Sequence, residues 1–500
     1  MNRLLIKTAI HFFLYAILIL LTACDQDNHS SIRFGLSAAP VTLDPRFATD
    51  AISQRIDRLI YQRLVDFDDQ YHVVPDLADW KQVSPVCYRF HLRNANTRFQ
   101  NGDALTSSDI KATYDSVLDE KTLSPHRSTI SNIQRMQIID DQTIDFYLAK
   151  PDPLFPGRLV IGIMPHKLLQ ANHRFSDQPL GSGPFRFVEK DGEERLVLER
   201  TRDGQRFEFL TVKDSTVRVL KLIHGEIDLI QGDLPFEMLA WLRDQPGIQV
   251  NFHPGNIFTY IGFNMRDPNL SKTDIRRAIA LSIDRESIIR YVLGNAARKA
   301  GTLLPPTHWA AASDLQGYSY DPEQARQLLA KNGINKQHPL QMIYKTSNNP
   351  LRVRLATIIQ YQLQQVGIDV RVQSHDWGTF YADIKQGRFQ LYSLSWVGLN
   401  MPDVFRYVFH SQSLPPNGAN RGFYQDQHVD NLIEQAELTD NLQAQAVIYR
   451  ELQQYLYQQV VYIPLWYEDN LLAASKNING YVMNADGDYD GLVNVSWSQH

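Results

Sequence analysis

Cysteine is nearly missing from this chain, with only Cys24 and Cys87 in 500 residues. That excludes a disulfide-stapled scaffold, so stability has to come from burial, for which this length and a hydrophobic content of 43% are ample. An excess of positive charge is also missing. The net charge is -5, and a mildly acidic body argues against nucleic acid as a partner. The 15 histidines are scattered, and none lies three or four residues from another. The pair His166 and His173 would stand about 10 Å apart along a helix, too far to share one metal. There is no HExxH, CxxC, GxSxG or phosphate-binding glycine loop, so no metal, cofactor or enzymatic chemistry is proposed by spacing. Repeats, low-complexity tracts and long Pro/Gly/Ser linkers are absent from residues 32 to 500, which therefore read as one compact unit.

What is present begins at the amino end. Arg3 and Lys7 precede Thr8 to Ala23, a stretch without charge that is mostly Phe, Leu, Ile and Ala. This is the layout of a signal peptide, shorter than the roughly 20 apolar residues a spanning helix needs and followed by polar Asp25 to Ser31. Leu21-Thr22-Ala23-Cys24 resembles the lipobox of bacterial lipoproteins, which implies removal of residues 1–23 and acylation of Cys24. Two or three acyl chains exceed the single chain that anchors only marginally. Cleavage removes two cations and no acid, leaving a net charge of about -7. Cys87 is then without an intramolecular partner. Asp25 resembles a signal that retains lipoproteins on the inner membrane of some Gram-negative bacteria.

Strand and helix patterns are interleaved, which predicts an α/β architecture. Asp321 caps a helix opened by Pro322 and closed at Asn332-Gly333. A second helix carries Leu351, Leu355, Ile358, Ile359, Leu363 and Val366 on one face. It stops at Gly367, where Ile368, Val370 and Val372 begin a strand of period two. A further helix and the strand Phe389 to Trp396 complete a βαβ-like unit. Aromatics cluster at Tyr392 to Trp396 and Tyr455 to Tyr467; most read as core, and some are candidates to line a cleft.

Two segments invite chemistry. Asp486-Gly487-Asp488-Tyr489-Asp490-Gly491 matches half of a calcium loop, but Trp497 stands where a bidentate Glu is required. It reads as a polar surface turn, with calcium at Asp486, Asp488 and Asp490 the alternative. Ser182 in Gly181-Ser182-Gly183-Pro184 reads as a turn hydroxyl rather than a nucleophile.

Several segments, taken in order, resemble the extracytoplasmic binding proteins of peptide and nickel ABC importers, solute-binding family 5. They include Pro40-Val41-Thr42-Leu43-Asp44-Pro45, Tyr88-Arg89-Phe90-His91-Leu92-Arg93, Leu105-Thr106-Ser107-Ser108-Asp109-Ile110, Gly181-Ser182-Gly183-Pro184-Phe185, Gly262-Phe263-Asn264 and Tyr320-Asp321-Pro322. The resemblance implies a two-lobed periplasmic binding protein fold of type II, with an extra subdomain on the first lobe and the ligand between lobes. Its expected divisions are a signal peptide at 1–23, lobe I at 25–255 with the extra subdomain at about 61–180, lobe II at 256–467, and a return to lobe I at 468–500.

The implied function is capture of short peptides and delivery to the permease subunits of an importer, by a monomer anchored through Cys24. Its place would be the periplasmic face of the inner membrane, or the outer face of the cell membrane in a Gram-positive host. No cofactor and no catalysis are implied. The alternatives are the same fold holding nickel chelate, haem, opine or oligosaccharide, and, from another class, a secreted lipoprotein hydrolase.

In peptide-binding members resembling this chain, an Asp three residues after a strand Trp takes the ligand's amino group. Here Trp396 is present, the third position is Leu399, and Asp403 is the candidate substitute. For a carboxylate clamp the candidates are Lys345 and Arg421, with Arg352 and Arg354 reading as a solvated helix face. Tyr392, Asn400 and Ser182 complete the expected ligand contacts.

Overall fold

The computed structural model describes residues 31–232, 234 and 236–498; the leader and Cys24 lie outside them. Cys87 is buried and unpaired.

An 11-stranded sheet runs through the molecule. Its centre is a long antiparallel pair, Ile248–Phe263 against Tyr462–Ser475. The register of this pair breaks between His253 and Ile257, where Pro254-Gly255-Asn256 interrupts the ladder. The lobe I half matches Ile248–His253 to Asn470–Ser475, and the lobe II half matches Ile257–Gly262 to Tyr462–Glu468. At the break a Cβ on Gly255 would stand 2.3 Å from the Glu468 carbonyl oxygen, so only glycine permits the backbones to meet there.

On the lobe I side, Tyr462–Ser475 pairs with Leu229–Gln231, followed by Ser31–Leu36, Arg206–Thr211, Arg195–Arg200 and Phe185–Asp191. The core beneath contains Phe34, Phe185 and Phe209 together with Leu472, Met483, Tyr489, Leu492 and Val495, so the carboxyl-terminal tail is built into the lobe that begins the chain. On the lobe II side, Ile248–Phe263 pairs with Leu391–Trp396, then with Leu340–Ser347 and Ile368–His375, the last two parallel. The βαβ-like unit read from the sequence is found here. Helix Pro322–Lys331 is capped by Asp321, whose side chain accepts from the Gln324 amide, and helix Pro350–Gln364 connects the two parallel strands.

A separate four-stranded sheet, Ala78–Ser84, Cys87–Leu92, Thr143–Leu148 and Ile133–Asp140, forms a subdomain with helix Ser107–Leu118. Cys87–Leu92 alternates buried and exposed residues toward a core of Phe90, Tyr114, Phe146 and Phe155. Thr106 and Asp109 cap the helix reciprocally, which accounts for Leu105-Thr106-Ser107-Ser108-Asp109 as a helix start.

Candidate functional site

The strand Leu391–Trp396 ends at the boundary between the lobes and continues as an arm, Val397 to Asp403, that meets lobe I. Helix Val404–Phe409 follows. Asp403 accepts from Arg158 Nη1 at 2.7 Å, and Arg158 Nε donates to Asp152 at 2.7 Å, so the arm is clasped to lobe I by an Asp-Arg-Asp chain. The arm lies so close to lobe I that a Cβ on Gly157 would stand 2.7 Å from Met401 Sδ. Beside the clasp is a groove of about 370 Å³ whose walls include Asp152 and Arg158 from one lobe and Asp403, Tyr407 and Ser413 from the other.

On the arm's opposite flank, Asn400 closes a cavity of about 130 Å³ against Arg58, Asp66, Tyr71, Asp486, Asp488 and Asp490. Arg58 lies 3.1 Å from both Asp66 and Asp488, 3.8 Å from Asp486, and bonds Asp490 through the same guanidinium. Burial works against its charge, and the aspartates outweigh that, holding its pKa above the usual arginine value. Asp488 is pushed up to about 6, by burial first and then by Asp486, while Arg58 pulls the other way. The three aspartates read above as a turn or calcium loop thus gather around a guanidinium. Among the described residues, no group of three or more His, Cys, Asp or Glu is arranged to hold a metal.

Lobe contact continues at the turn of residues 68–72. Tyr71 stacks on His308 with ring centroids 5.1 Å apart, and the Trp309 amide donates to the Gln70 carbonyl at 3.0 Å. Burial drives the His308 imidazole down to about 3, against the opposing effect of the Asn400 carbonyl.

The sequence candidates fall in different places. Trp396 is half-buried; its ring centroid is 4.8 Å from the Arg421 guanidinium and 6.2 Å from the Tyr407 ring. Arg421 is 7% exposed and donates to the hydroxyls of Tyr260 and Tyr381, each at 3.2 Å. The loop presents it because buried Asn420 bonds the carbonyls of His410 and Tyr424 and accepts from the Tyr424 amide. Tyr392 is fully buried, edge-on to Tyr260 and Phe389, and supports that wall from behind. Leu399 is 3% exposed and packs in the lobe II core with Phe405 and Phe409, so the position expected to show a carboxylate faces away from the boundary.

Asn400 lies on the boundary, its Oδ1 buried without a donor. Lys345 is buried and bonded to Asp383, which also accepts from Arg388. Arg352 bonds Glu468 at 2.9 Å, and Arg354 pairs with Glu237. The Ser182 hydroxyl is buried without a partner in the turn whose Gly183 amide donates to the Ile60 carbonyl.

Sequence reasoning missed Arg158, Tyr381, Tyr407 and Arg58. Tyr381 had a signal in its spacing of four from Trp377, since the two rings stack at 5.4 Å. The others depend on partners distant in sequence.

Residues 72–414 match the family model described as bacterial extracellular solute-binding proteins, family 5 middle. The chain belongs to this solute-binding family. It is similar to the dipeptide-binding protein of Escherichia coli K12, with 24% identity over 96% of this chain and 97% of that one. It is similar to heme-binding protein A of Haemophilus influenzae, with 25% identity over 97% and 98%. The fold matches the solved structure of the ABC transporter substrate-binding protein CtaP of Listeria monocytogenes, with a TM-score of 0.84 and 22% identity over 94% of this chain and 99% of that one. The two-lobed periplasmic binding protein fold is therefore that of the solute-binding family, whose members are binding proteins acting outside the cytoplasm.

Proposed function

We propose that this family 5 member is the substrate-binding lipoprotein of an ABC importer and captures short peptides between its lobes for delivery to the membrane permease. The observation that carries this reading is the groove of about 370 Å³ walled by both lobes, inside the roughly 300–1,000 Å³ range of small-molecule sites. Closure across it excludes water, which strengthens hydrogen bonds to a peptide main chain and leaves side-chain pockets free to vary. The dipeptide-binding relative supports the same cargo. The lipobox-like Leu21-Thr22-Ala23-Cys24 supports anchoring at the periplasmic face of the inner membrane, where tethering raises the receptor's local concentration at its transporter. No catalytic step enters this reading.

Isothermal calorimetry of the purified protein against a mixed di- to pentapeptide pool tests it. Saturable heat with one-to-one stoichiometry is expected. Complete silence removes peptide and leaves a non-peptide solute, such as haem, as the cargo.

A further inference from the structure

The groove of about 370 Å³ walled by both lobes has most of its charges engaged within the chain. Asp152 and Asp403 both accept from Arg158, at 2.7 Å each, and Glu437 pairs with Arg406. Lys150, the remaining charged residue of the lining, is exposed to solvent, where an ion pair is worth little. A charged end of a solute thus finds no sheltered counterion here.

The uncharged part of the lining is in a different situation. Gln445 is fully buried, yet its side-chain Oε1 has no hydrogen-bond partner, alone among the residues that line the groove. The other end of the amide fixes which way it points. Nε2 donates to the Ala436 carbonyl at 2.9 Å, and exchanging the two ends would set oxygen against oxygen. One turn further along helix Leu442–Gln458, on the same face, Tyr449 Oη is also buried and unpartnered. Its ring lies 5.7 Å from that of Phe405, which fixes where the hydroxyl stands. Burial, and after it Asp403 and Glu437 of the groove, hold this phenol above its usual pKa, so it stays an O–H donor.

Buried polar groups without partners are costly until something completes them. An N–H completes Oε1, and a carbonyl oxygen completes Oη. An amide carries both and bears no charge, which suits a groove whose counterions are already taken. We propose that Gln445 Oε1, with the Tyr449 hydroxyl one turn away, is the polar contact of this groove. It accepts from an uncharged N–H of the solute, so capture here depends on an amide group and not on charged ends. This deepens the peptide reading and rests on it for the groove's role as the place of capture.

The test is calorimetry of the full-length protein with four probes: Ala-Phe, its ester isostere alanyl-phenyllactate, N-acetyl-Ala-Phe-amide and N-acetylphenylalaninamide. The ester keeps both charged ends and lacks the uncharged N–H, and it should bind about 20-fold more weakly than Ala-Phe. The doubly blocked dipeptide should bind within about 3-fold of Ala-Phe. An ester within about 3-fold of Ala-Phe, or a blocked dipeptide beyond that limit, overturns the contact and leaves the peptide reading intact. Binding of N-acetylphenylalaninamide without any dipeptide refutes the peptide reading and supports the contact. Silence toward all four overturns both. Gln445→Met keeps the length and removes the acceptor, so amide and ester should then bind alike. Tyr449→Phe should weaken both while the preference for the amide persists. The probe series with the unaltered protein decides the matter even if a variant fails to fold.

Discussion

Arg58 and Arg421 are two guanidinium centres held low in exposure, and they are finished in opposite ways. Arg58 is surrounded by Asp66, Asp486, Asp488 and Asp490, and its side chain is 15% exposed. Arg421 is as deeply placed and has tyrosine hydroxyls and aromatic faces in place of acids. The first centre closes on itself and ties the carboxyl-terminal tail to helix Ala51–Ile60; the second is held by hydroxyls and aromatic rings of its own lobe. Removing one member of a buried ion network leaves charge behind without its partner, whereas removing a cation held only by hydroxyls and rings does not.

The largest expected effect separates the two centres directly. Arg58→Gln strands Asp488 as a buried carboxylate without its cation, and leaves half-buried Asp490 beside it, which should cost about 3 kcal/mol in urea unfolding. Arg421→Gln strands no carboxylate, so a loss of equal size there would break the comparison.

The next effect is read through pH. His308 is stacked on Tyr71 and bonded to Asn400. Its folded pKa of about 3 lies below the ordinary 6.5, so the unfolded state takes up the proton first. Its contribution is therefore complete above pH 6.5 and is lost as pH falls from there toward 3. Between pH 7 and 4 the loss should be about 3 kcal/mol, and His308→Gln should remove that part of the slope in paired urea melts. Parallel slopes for the two proteins would show that His308 carries none of it.

The smallest effect concerns the clasp. Arg158→Met removes the partner of Asp403, and ligand affinity should weaken about 3- to 10-fold through a less stable closed form, measured by calorimetry. Unchanged affinity would mean that the Asp152–Arg158–Asp403 chain plays no part in closure.

The architecture was legible where the signal was local. The cap at Asp321, the apolar face of Leu351 to Val366 and the alternation from Ile368 each fit within one element, and each appears as read. The site was legible only in part. Trp396 and Arg421 could be named singly, but their contact spans 25 residues of chain and exists only because Asn420 pins the loop. Lys345 was a candidate beside Arg421; that it is engaged by Asp383, 38 residues away, could not be read from its own surroundings in the sequence. Leu399 stands where the expected Asp would be, and that its side chain turns into the core is what the spacing after Trp396 could not show. Asp486 to Asp490 looked like half of an ion site because the guanidinium completing it sits more than 400 residues earlier.

The tail that packs Leu492 and Val495 into the first lobe also sets an order of assembly. The residues that open the lobe are made first, yet the core beneath them lacks its last wall until Leu492 and Val495 have emerged. An N-terminal lobe that cannot finish early stays an unfinished chain during synthesis, and an unfinished chain is the form in which a polypeptide threads through a narrow export channel. Contacts of such long sequence separation fold slowly. For a family whose members act outside the cytoplasm, such slowness suits a chain that must cross a membrane before it folds.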